Sequence, residues 1–143
     1  MDQLAATPFL KEQSSFMDSL QSQFMVHFPN DLEVLKTSEK VYSALALSAS
    51  GEEKTQFEKT ELITLRKLKD LNPSDYEVWN KLLTRSYDQQ AWENLLMDTE
   101  DALSYFPNQG LFYFYYGNAQ MYSTASDKDE ASSAFDQALK LSK

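Results

Sequence analysis

Residues 72–110 read NPSDYEVWNKLLTRSYDQQAWENLLMDTEDALSYFPNQG. Two proline turns, Asn72-Pro73-Ser74 and Phe106-Pro107-Asn108, bracket this stretch, and their prolines stand 34 positions apart. Between them lie two apolar-periodic segments. Trp79, Leu82, Leu83 and Ser86 fall on one helical face, and Trp92, Leu95, Leu96, Thr99, Ala102, Leu103 and Phe106 on another. Two amphipathic helices closed at both ends by proline make one unit of a helical repeat. Such a hairpin cannot bury its apolar face alone, so units stack.

The pattern extends in both directions. Downstream, Ala131, Ala134, Phe135, Ala138 and Leu139 follow the i, i+3, i+4, i+7, i+8 spacing of a helix face. Upstream, a third turn, Phe28-Pro29-Asn30, precedes Pro73 by 44 positions, about ten more than the later interval. Unstructured loops of that size are uncommon in compact domains, so the extra residues are expected to lengthen two helices around a short polar turn at 49–52. Before it, Phe16, Leu20, Phe24 and Phe28 step by four. Seven helices are expected, at 8–28, 31–48, 53–71, 75–88, 91–106, 109–124 and 128–142. Their starts carry capping signals, in which a side-chain oxygen and a carboxylate satisfy orphan N–H groups: Ser74 with Glu77, Ser50 with Glu53, and the looser Asn30 with Glu33 and Asp127 with Glu130. Thr7 before Pro8 reads as a cap followed by a first-turn proline.

These residues resemble the tetratricopeptide repeat family. Trp79 lies six residues after Pro73, Leu82 three further on, and Ala102 and Pro107 close the unit. Tyr113, Tyr116 and Gly117 stand in matching places in the next unit, followed by Ala131, Phe135, Ala138 and Leu139. The string Leu111 to Gly117 after Phe106-Pro107-Asn108 is also similar to repeat proteins of Bacteroidetes-type bacteria. The resemblance is strong over 73–143 and weak over 29–72. It implies an all-α, short right-handed solenoid in a single domain 1–143, with an orphan helix at 8–28, a divergent long repeat at 29–72, and repeats at 73–107 and 108–143.

Composition narrows the function. Three glycines and four prolines in 143 residues are few for an all-β fold. Twenty-two acidic against 13 basic residues give a net charge of −9, the wrong sign for nucleic acid or an anionic membrane surface. The absence of cysteine excludes disulfides, thiolate catalysis and cysteine-held zinc. No apolar run approaches the roughly 18 residues of a membrane span. Met1-Asp2-Gln3-Leu4 is not the start of a signal peptide. A periplasmic or cell-envelope location is expected if such a peptide was removed, and a cytoplasmic one otherwise.

No residue pattern argues for chemistry. His27, the single histidine, sits near a helix end, where a cation interacts favourably with the last carbonyls. There is no His-Glu-x-x-His motif and no Gly-rich phosphate loop. The serines lack an identifiable base. Asp127-Lys128-Asp129-Glu130 lacks the glycine and length of a calcium loop, and both this cluster and Asp98, Glu100, Asp101 read as a solvated face or helix-start charge. No catalytic, cofactor or metal residue is assigned, and the chain is not expected to be an enzyme.

The aromatic run 111–116, Leu-Phe-Tyr-Phe-Tyr-Tyr, is the informative feature. As a helix it is apolar all round, so it must be buried on more than one side. Tyr113, Tyr116 and Gln120 are expected to face the partner helix, and Phe112 and Ala119 the preceding unit. Leu111, Phe114, Asn118, Met121 and Tyr122 are left over. The family resemblance implies that this face of each first helix lines a peptide-binding groove, where aromatic side chains supply contact area. The equivalents are Asn80 and Tyr87, with Glu77, Thr84 and Asp88, and further upstream Lys36 and Lys40, with Glu33 and Ser43. Lys36, Lys40 and Asn80 offer part of the cluster that grips a terminal carboxylate in some family members. Leu111 and Tyr115 stand where further basic residues would be needed, so such capture is not expected. A protein or peptide partner is expected. The alternatives for this face are a further repeat unit or a homodimer contact, in a chain that is a segment of a longer solenoid or self-associates.

Overall fold

Three helices begin where an aspartate side chain takes an orphan N–H, and two end where the chain turns extended. The structure, a computed structural model, describes residues 8–124 and 126–142, with side chains from Glu12 onward. The described residues form seven α-helices and no strand: α1 (Pro8–His27), α2 (Leu32–Ser48), α3 (Gly51–Leu71), α4 (Tyr76–Asp88), α5 (Trp92–Tyr105), α6 (Gly110–Tyr122) and α7 (Lys128–Leu141). The chain divides into two compact units, 1–72 and 73–143. The fold is all-α and tetratricopeptide-like. The added residues of the first unit lie in α2 and α3, of 17 and 21 residues, against 13 and 14 in α4 and α5.

Three caps differ from expectation. Asp75, not Ser74, is the N-cap of α4, and its carboxylate accepts from Glu77 N at 3.1 Å. Asp31, not Asn30, caps α2 and accepts from Val34 N at 3.0 Å. Ser50 holds the N-cap position of α3 but makes no side-chain capping bond. In the first two cases an aspartate one residue downstream competes with a weaker neutral acceptor, and the charge-assisted bond is the stronger one. Asp127 caps α7 as expected, accepting from both Asp129 N and Glu130 N at 3.1 Å. Thr7 lies outside the described residues.

In the first unit α2 packs between α1 and α3. Tyr42, Leu45, Ala46 and Phe57 form a core closed by Met17 and Met25 of α1. Two buried polar contacts tie α1 down: Ser38 Oγ donates to Gln21 Oε1 at 2.8 Å, and the Tyr42 hydroxyl to Asp18 Oδ1 at 2.6 Å. The phenylalanine stripe is not the face that α1 packs. Phe16, Phe24 and Phe28 are exposed, and Phe24 stacks on Phe28 with 6.5 Å between centroids. The face that α1 buries, Met17, Gln21 and Met25, has the same period of four but sits one residue along, and Gln21 disguises it as polar.

In the second unit α5 packs against α4 and α6, and α6 packs against α4 and α7. Val78, Trp79, Leu82, Leu83, Leu95, Ala102, Phe112 and Ala119 are buried. Trp79 satisfies its indole by donating to the Pro73 carbonyl at 2.7 Å, so the proline turn and the core tryptophan hold each other. The α4–α5 turn passes through Gln90 at φ 55°, a left-handed conformation of a non-glycine residue, and Ala91 N closes it onto Ser86 O at 2.9 Å. At the end of the chain Ala131 and Ala134 are buried but Leu139, counted above as part of the apolar face of α7, is exposed. It lies about 80° around the helix from Ala131, beyond the edge of the buried stripe.

Candidate interaction surface

The sixth helix carries no charged residue, so nothing but packing decides which of its side chains reach water. Phe112 stacks on Tyr76 of α4 at 5.4 Å and meets Phe106 edge-on at 6.2 Å, and Ala119 is fully buried. Gly117 faces α7: a Cβ there would lie 2.6 Å from Phe135 Cε1. The ring of Phe135 therefore occupies the space a side chain would take. Gly110 is similarly close to α7, its would-be Cβ 3.1 Å from the Ala138 carbonyl. Two glycines on one face thus allow α6 and α7 to pack closely.

The rest of α6 meets α4 along a shared face. The Tyr115 and Thr84 hydroxyls lie 3.0 Å apart, and Tyr115 packs on Tyr87 with 5.0 Å between centroids. Phe114 touches Tyr87 at 5.9 Å and Phe135 at 6.1 Å. Tyr122 lies on Trp92 of α5 at 5.0 Å, and Trp92 meets Tyr87 edge-on at 5.8 Å. These contacts make a continuous aromatic belt from α4 across the start of α5 to α6 and α7.

Of the residues singled out from sequence, Leu111, Phe114, Met121 and Tyr122 are 40–57% exposed. Asn118 is half-buried and donates to the Phe114 carbonyl at 2.8 Å. Tyr87 is half-buried and in ring contact with Phe114. Asn80 lies two turns before Tyr87 on α4 and holds a buried Oδ1 without a hydrogen-bond partner. Lys36 and Lys40 are exposed on α2, in the first unit. Sequence reasoning missed Trp92 and Tyr115 as members of the belt: the periodicity of α5 assigns Trp92 to its core face, and Tyr115 stands out only as a non-basic residue. It also missed Glu93, whose Oε1 accepts from Thr124 N at 2.6 Å and ties the start of α5 to the turn after Tyr122.

Elsewhere, an open depression of about 890 Å³ lies between α1 and the start of α3. Ser15, Asp18, Glu52, Glu53, Gln56 and Phe57 line it, with no nitrogen base among its lining residues. Its Asp18 carboxylate is engaged by Tyr42. Burial first, and the hydrogen bond to Asp18 second, push the Tyr42 hydroxyl up to about 12. Among the described residues no group of three His, Cys, Asp or Glu side chains could hold a metal ion. No described helix is long and apolar enough to cross a membrane.

No protein-family model matches the chain, and no curated protein sequence does. Solved structures do match. "MamA MSR-1 C2" superposes with a TM-score of 0.57 at 19% identity, over 91% of this chain and 70% of that one. A second, titled "Crystal structure of MamA", gives 0.54 at 21% identity, over 90% and 78%. At these identities the likeness is one of fold: both are tetratricopeptide-like all-α proteins.

Proposed function

We propose that this chain is a non-catalytic protein–protein interaction scaffold that docks a peptide or protein segment on the face shared by α4 and α6. The observation that supports it is the contiguous exposure of Leu111, Phe114, Met121 and Tyr122 on a helix without a single charge. A helix that has satisfied α4, α5 and α7 and still presents four large apolar side chains has more apolar surface than its own unit uses. Rigid aromatic rings offer contact area with little rotamer entropy to lose, as binding hot spots do. The tetratricopeptide-like fold is consistent with this reading. The test is affinity capture with the native chain and with a Phe114→Ala, Tyr122→Ala variant whose helicity is checked by circular dichroism. Partner recovery is expected to fall at least about tenfold, the loss of two modest hot spots. Undiminished recovery by a folded variant would reject this surface.

A second reading is a self-associating module or one segment of a longer solenoid. It is favoured by the exposed Phe16 and Phe24 of α1 and Phe28 just after it, a stripe that no described helix of the first unit covers. Sedimentation of the native chain beside a Phe16→Ser, Phe24→Ser variant separates the two. An unchanged, monomeric mass in both counts against self-association through α1.

A further inference from the structure

Exposed carboxylates outnumber exposed cations around the α4–α6 face. We infer that the segment it docks is a basic one: an internal stretch of a partner protein in which two or more Lys or Arg side chains flank one or two large apolar ones. The inference rests on the interaction reading of this face.

Two observations carry it. First, the row on α4 that borders the face, Glu77, Asn80, Thr84, Tyr87 and Asp88, begins and ends in an exposed carboxylate. The cations of α4, Lys81 and Arg85, lie beside that row, about one turn from Glu77 and from Asp88 respectively. Both are half-buried and neither is free. Second, neighbouring helices joined by short turns run antiparallel. The end of α4, the start of α5, the end of α6 and the start of α7 therefore share one end of the second unit. That end holds exposed Asp88, Glu93, Asp129 and Glu130 as well as Tyr122 and Trp92, against the exposed cation Lys128 and the half-buried Arg85. The Glu93–Thr124 hydrogen bond places one of these carboxylates two residues beyond Tyr122.

Together these make a surface with an apolar middle, Leu111, Phe114 and Met121, and an acidic aromatic end. A guanidinium or ammonium group can rest on the exposed ring of Tyr122, with Asp88 and Glu93 beside it, and gains both cation–π and charge attraction. A segment ending in a carboxylate gains neither. A second copy of this chain, which carries a net charge of −9, brings the wrong sign to this face.

The experiment is selection from a display library of random peptides of about twelve residues with blocked termini, using the full chain as bait. The enriched sequences are expected to be net positive with large apolar residues. Synthetic copies with every Lys and Arg changed to Gln should bind about tenfold or more weaker. Asp88→Asn with Glu93→Gln, which keeps an acceptor for Thr124 N, should weaken the basic peptides several-fold without loss of helicity. Raising the ionic strength from about 0.05 to about 0.5 M should weaken them too. Enriched neutral or acidic peptides that lose binding in the Phe114→Ala, Tyr122→Ala variant would overturn the basic partner and leave the docking face standing. Basic peptides that bind that variant as well as the native chain would overturn both, as would a selection that enriches nothing.

Discussion

Single residues in this chain are often constrained by one neighbour, and Gly117 shows how. Replacing a helical glycine by alanine ordinarily gains up to about 1 kcal/mol. Here the added Cβ would lie 2.6 Å from the Phe135 ring, which also packs on Phe114. The ring must leave its place and lose those contacts. Gly117→Ala is therefore expected to destabilise by about 1–2 kcal/mol, a moderate overpacking cost, in urea titration. In a Phe135→Ala background the same change should become neutral or stabilising, and the double-mutant cycle reports the coupling. Tyr42 is constrained by burial and by its bond to Asp18 instead. Together they push its hydroxyl from the ordinary 10.0 up to about 12. A folded pKa above the unfolded one means a contribution that is whole below about pH 10 and lost as pH climbs towards about 12. Tyr42→Phe should cost about 1–2 kcal/mol at neutral pH through the lost bond to Asp18. Its disadvantage should shrink across that alkaline window, as read by denaturation at stepped pH.

At the scale of helices, the starts of α2, α4 and α7 are fixed by an aspartate cap. Asp75 and Asp127 each accept from one or two orphan N–H groups, with a glutamate in the first turn beside them. Asp75→Ala and Asp127→Ala should each destabilise by about 1 kcal/mol, measured by chemical denaturation, and Asp→Asn by less, since the amide oxygen still accepts. Propensity alone would not have made α6 a helix: six consecutive Leu, Phe and Tyr residues favour a strand. The repeat context prevails because α6 is packed by α4, α5 and α7. The helix boundaries were legible to within two residues because prolines and short polar residues punctuate them. The identity of the capping residue was less legible where two acceptors stand side by side, as at Ser74 and Asp75 or Asn30 and Asp31.

At the scale of the whole chain, a net charge of −9 opposes association of like copies, while the stripe on α1 favours it. Covering a large apolar side chain is worth about 1.5–3 kcal/mol, so three phenylalanines outweigh a repulsion that salt largely screens. If copies pair through α1, their mass in sedimentation should rise with salt and with concentration. The Phe16→Ser, Phe24→Ser variant should remain monomeric throughout. A native chain that stays monomeric at high salt would remove α1 as a self-association surface. The two compact units, 1–72 and 73–143, each have helices with a buried core, and the docking face proposed above lies wholly in the second.

The sequence by itself determined the helical repeat, because proline turns and apolar spacing are local and survive without any partner. It also determined the absence of thiol chemistry and the acidic surface, which are matters of composition. It pointed to the exposed side of α6, because subtracting the faces that must be buried leaves Leu111, Phe114, Met121 and Tyr122. What only the tertiary structure decided were relations between helices. A spacing of four describes both Phe16-Leu20-Phe24 and Met17-Gln21-Met25, and only Tyr42, Ser38 and the core of α2 select the second for burial. Likewise no local pattern says that Trp92 lies on Tyr122, that Glu93 reaches Thr124, or that Phe135 fills the space at Gly117. Each depends on where a different helix places its side chains.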